Sequence, residues 1–108
     1  MSDTLGGLSI PEEPTALRAR TRALIERAPA EGRAMVAEGD WIAELLWARW
    51  GRALEPRGMD RERFRRVIRD YTRELWLWVM GERTWAQCAQ GLLGRVRRRA
   101  SVDAVDPA

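Results

Sequence analysis

The sequence predicts an all-α fold: a small three- to four-helix bundle with a long antiparallel helical hairpin and flexible termini. Three observations predict it. Apolar residues recur every three to four positions over four separate stretches. Proline or glycine marks the junctions between those stretches. The length of 108 residues suits one domain, with a core that is feasible but not generous.

Taken in order, residues 1–13 carry Gly6-Gly7 and a first proline, with Pro14 directly after, and read as a flexible lead-in to a single helical domain spanning 14–100. The first helix is expected from Thr15 to Ala28, with Leu17, Thr21, Leu24 and Ala28 on one face and Pro29 as its stop. Its thin apolar stripe suits a peripheral position. The second is expected from Glu31 to Leu54, since Met35, Val36, Gly39, Ala43, Leu46, Trp50, Ala53 and Leu54 keep one face throughout. Gly39-Asp40 could break it, with Asp40 as a new cap, but the unbroken phase favours continuity. Gly39 then permits close helix approach at about 1 kcal/mol in helix propensity.

The connection "EPRGMD" leads to Asp60 as the cap of a third helix running to about Met80. Phe64, Val67, Ile68, Tyr71, Leu75, Trp78 and Val79 form its stripe. Gly81 closes it in the position that favours left-handed backbone. Thr84 and Gln87 then fit a reciprocal capping box. The fourth helix is expected from Trp85 to about Arg99, with Trp85, Cys88, Ala89, Leu92 and Val96 inward. Residues 101–108 read as a disordered tail.

Composition removes most catalysis. The chain has no His, and all 19 of its basic residues are arginine. The usual general base, the usual zinc ligand and any Schiff-base lysine are therefore missing. Arginine-only usage fits either GC-rich coding or selection for guanidinium geometry. Cys88, the single cysteine, has no histidine to activate it, and its place in a stripe marks it as a buried, inert thiol. Asp40, Glu44 and Glu55 share a helix face, where a solvated surface, or pairing with arginines of a neighbouring helix, explains them better than a metal site. No cofactor is implied. The start lacks signal-peptide character and the longest apolar run, Leu75 to Met80, is short of a membrane span, so a cytoplasmic setting is the default.

Six tryptophans dominate the aromatic content. Trp50, Trp78 and Trp85 lie on inward faces and belong to the core. Trp76, Leu77 and Met80 instead project onto the side that carries Arg65, Arg66, Arg69 and Arg73. Trp41 and Leu45 likewise leave the second helix's stripe and share a side with Arg52. Either the first and fourth helices cover these two patches, or they are exposed at an interface, where Trp, Met and Arg are enriched, with contact to a lipid surface as a lesser alternative.

The segment "VMGERTWAQCAQGLLGRVRRRAS" resembles the helix-turn-helix of bacterial regulators: a helix ending at Gly81, a Thr-capped helix with central Ala89, then Gly94 and an arginine-rich run. The resemblance implies a recognition helix from Arg95 onward, with Arg95, Arg97, Arg98 and Arg99 reaching phosphates and guanine edges. One continuous fourth helix with a basic end explains the same residues without a turn at Gly94. The basic rear half of the chain suits nucleic acid in a general way.

The leading expectation is a non-enzymatic interaction module, an accessory subunit or homo-oligomer. It would bind a protein partner or a second copy through Trp41, Leu45, Trp76, Leu77 and Met80. The alternative is a small DNA-binding regulator using the arginines of the fourth helix.

Overall fold

The computed structural model describes residues 8–104, and the side chains of 8–100. It is all-helical: α1 (Thr15–Arg27), α2 (Pro29–Glu38), α3 (Asp40–Leu54), a 3-10 turn (Glu55–Arg57), α4 (Arg61–Arg69), α5 (Thr72–Val79) and α6 (Trp85–Ala104). No helix among the described residues is long and apolar enough to cross a membrane.

The two long helices expected from the sequence are each divided, so the long hairpin is replaced by shorter pieces. The first division is at Gly39, which ends α2 with a φ of 77° and begins α3. A side-chain carbon at Gly39 would sit 2.9 Å from Ile68 Cγ2. The close approach read from this glycine is therefore present, but at a break between helices, where left-handed backbone also requires Gly. The second division is milder. Tyr71, with φ −111° and ψ 11°, separates α4 from α5, while its carbonyl still accepts from the Leu75 amide at 3.2 Å.

Locally encoded ends form as their residues dictate. Asp60 Oδ1 accepts from the Arg63 amide at 2.9 Å. Gly58 and Gly81 have φ values of 86° and 85°. The capping box is reciprocal: the Thr84 amide donates to Gln87 Oε1 at 3.0 Å, and the Gln87 amide to Thr84 Oγ1 at 3.1 Å. Beyond it, α6 runs unbroken past Gly91 and Gly94 to Ala104, so residues 101–104 of the expected tail are helical.

The core is aromatic at its centre. Phe64 meets Trp47 at 5.4 Å and Trp50 edge-on at 6.1 Å, while Trp78 and Trp85 lie 4.8 Å apart between ring centres. Each of the three deepest tryptophans must place an N–H. All three place it on the segment before α1: Trp50 on Ser9 O at 2.9 Å, Trp85 on Pro11 O at 2.8 Å, and Trp78 on Glu13 Oε2 at 2.9 Å. Leu8 and Pro11 are buried as this strap crosses the core. Residues 8–13 of the expected flexible lead-in are thus a packed strap, because buried indole donors need acceptors. Residues 1–7 and 105–108 lie outside the described residues.

Behind the strap, α1 lies across the end of α5. Arg18 Nε donates to Trp78 O at 2.9 Å and Arg22 reaches Val79 O at 3.5 Å. Both carbonyls lie at the C-terminal end of α5, where the helix dipole favours cations, and that of Trp78 also accepts from the Gly81 amide at 3.0 Å.

Candidate functional site

The outward face of α3 is the strongest candidate surface. Leu45 is 39% exposed, and it is the large hydrophobic among the described residues that stands out to solvent. It lines an open groove with Ala48 and Arg49 from α3 and with Ile10, Pro11 and Glu12 from the strap. Trp41, one turn before it, is half-buried and stacks on Trp78 with ring centres 6.4 Å apart and planes within 8°. Its N–H reaches Val36 O at 3.4 Å.

The five residues expected to form one patch are not equally presented. Trp76, Leu77 and Met80 are half-buried, and Trp76 and Met80 pack against the core. Both α1 and α2 pack on α5. The α5 part of the patch is therefore largely taken up within the molecule, because the division at Gly39 lets α2 fold back onto α5. Leu45 remains outward, with Trp41 at its edge.

The carboxylates of α3 are engaged by α4. Arg65 meets Glu44 Oε2 at 2.9 Å and Asp40 Oδ1 at 3.7 Å, and Arg61 lies 3.7 Å from Glu44 Oε1. The Glu44 hydrogen bond, and then the Asp40 charge, hold the Arg65 guanidinium further toward its charged form. Glu55 stands apart in the 3-10 turn and is exposed.

Cys88 is fully buried, and burial, with the Glu74 charge second, pushes its thiol up to about 12. A thiol so held is protonated at neutral pH and a poor nucleophile. Among the described residues, no three His, Cys, Asp or Glu side chains gather where they could hold a metal.

The arginines of α6 are differently placed from what the helix-turn-helix resemblance implies. Gly94 lies within α6, so no turn separates Arg95–Arg99 from the preceding residues and no distinct recognition helix forms there. Helical hydrogen bonding continues through Gly94, and the Thr84 cap serves the whole length. Arg95 is half-buried, its guanidinium 5.5 Å from the centre of the Tyr71 ring. Arg97, Arg98 and Arg99 are exposed.

Sequence reasoning missed the strap's share in the groove, namely Ile10, Pro11 and Glu12. A signal was present: Leu8 and Ile10 alternate as in an extended segment, and three core indoles lacked acceptors within their own helices. No family model, curated protein or solved structure matches the chain.

Proposed function

We propose that the chain is a non-enzymatic interaction module that binds a protein through the outward face of α3. The observation that carries this reading is Leu45, a large apolar side chain left exposed beside exposed Ala48, half-buried Ile10 and buried Pro11. A lone exposed leucine is ordinary. A leucine floored by further apolar residues and edged by one acid and one arginine has the make-up of a small contact surface. The buried, protonated Cys88 and the engagement of Asp40 and Glu44 by arginines support a non-catalytic role.

The test is affinity purification from cells expressing the tagged chain, with and without nuclease, comparing wild type with Leu45→Arg. The expected result is a stoichiometric protein that survives nuclease and is lost from the variant. Retention of that protein by Leu45→Arg would remove α3 from the interface. Recovery of nucleic acid, with all partners lost on nuclease treatment, would replace the reading with binding through the exposed arginines.

A further inference from the structure

The outward face of α3 has a periodicity of its own. Trp41, Leu45, Ala48 and Arg52 follow one another at spacings of four, three and four residues, as the contact positions of paired helices do. At about 100° per residue they fall within about 60° of one another, opposite the side that buries Ala43, Trp50 and Leu54. Leu45, Ala48 and Arg52 are exposed and Trp41 is half-buried. A short helix with this pattern is complementary to itself. Its large residue, Leu45, needs a space, and its small residue, Ala48, leaves one.

Consider α3 running antiparallel to the α3 of a second copy, centred on the peptide between Leu46 and Trp47. Leu45 then lies on Ala48 of the other copy and Trp41 on its Arg52, and the twofold axis makes each contact twice. Trp against Arg is favourable as a cation–π pair. A parallel pairing would instead oppose Arg52 to Arg52, two like charges in the seam.

The flanks agree with the antiparallel arrangement, in which the same flank of each copy lies beside its equivalent. On the strap side stand Glu12 and Arg49, both exposed. Neither takes part in an ion pair among the described residues; Arg49 has only a 3.5 Å contact to Ser9 Oγ. The twofold axis brings the acid of one copy to the arginine of the other. On the far flank, Asp40 and Glu44 are already balanced by Arg61 and Arg65, so two copies approach there without net repulsion.

We infer that the chain pairs with a second copy of itself through α3, antiparallel, with Leu45 on Ala48 and Glu12 reaching Arg49 across the axis. This rests on the interaction-module reading and names its partner. One helix face with its rim is a small interface, so the association is expected to be weak and reversible.

Sedimentation equilibrium of the full chain, from about 10 µM to about 1 mM at low salt, tests it. A monomer–dimer curve is expected. Leu45→Arg should abolish the dimer. Glu12→Arg and Arg49→Glu should each weaken association about tenfold, because the contact occurs twice, and the double variant should recover most of the loss. Far-ultraviolet circular dichroism should match wild type in every variant. A monomer throughout the range overturns the inference, as does a dimer indifferent to Leu45→Arg. Single-variant losses that the double exchange fails to recover overturn the antiparallel register. A monomer whose Leu45-dependent protein partner still appears in affinity purification defeats self-pairing and leaves the module reading standing. A monomer whose partners do not depend on Leu45 defeats both.

Discussion

Tyr71 is held by α6 in three ways at once. Its hydroxyl donates to the Cys88 carbonyl at 2.9 Å, Arg95 covers its ring, and Gly91 leaves room where any side chain would strike the hydroxyl. Burial, with the charge of Cys88 next, pushes its pKa from 10.0 up to about 12, while that of Cys88 moves from 9.0 to about 12. Both groups lose protons at lower pH unfolded than folded, so the folded state holds more protons between about pH 9 and 12. Their contribution is complete below that window and is lost as pH rises through it. Urea denaturation from pH 8 to 11.5 should show stability falling as pH rises. Tyr71→Phe and Cys88→Ala should each flatten the fall, and an unchanged slope in both would dissociate the loss from this pair. The burial of Cys88 was legible because it sits in a helical stripe. Its pairing with Tyr71 was not, because the two lie 17 residues apart, Tyr71 at the junction of α4 and α5 and Cys88 on α6. Periodicity fixes which side of a helix is inward, not which residue it meets.

At the scale of elements, the two divided helices show what periodicity can and cannot see. Capping is local, so Asp60, Gly58, Gly81 and the Thr84–Gln87 box could be read from a few neighbouring residues. The division at Gly39 was masked because the inward face continues across it: Val36 is buried before it, and Ile42 and Ala43 after it. A single left-handed residue redirected the axis while keeping both pieces apolar side in. Gly39 and Gly58 share positive φ but differ in surroundings, which makes a paired experiment. A side-chain carbon added at Gly58 would have nothing within 4 Å, whereas one added at Gly39 would meet Ile68. Gly58→Ala should cost about 1 kcal/mol from backbone strain alone. Gly39→Ala should cost about 2–4 kcal/mol, because strain is joined by a core that must shift. Thermal melts of both variants would decide it, and equal losses would mean Ile68 yields freely.

For the whole molecule, the strap makes the tryptophan core into a closed structure. It supplies acceptors to three indoles and buries Leu8 and Pro11 against them. Removing residues 1–13 should cost on the order of 5 kcal/mol, about 1 kcal/mol for each lost hydrogen bond and the rest from apolar exposure. That is a large share of what holds a small domain together. A lower melting temperature and red-shifted tryptophan emission are expected; a deletion that leaves both unchanged would show that the core closes without it. Glycine and proline in the lead-in signal irregular backbone, and irregular backbone can be seated as firmly as a helix when it supplies acceptors. The strap's three partners follow it by 41, 65 and 74 residues. Synthesised ahead of them, it has no complete seat until Trp85 has emerged and α5 and α6 have met. The strap, made before its partners, is therefore among the last parts to be fixed, and until then the tryptophans it will cover stand open to solvent, to chaperones and to other copies of the chain.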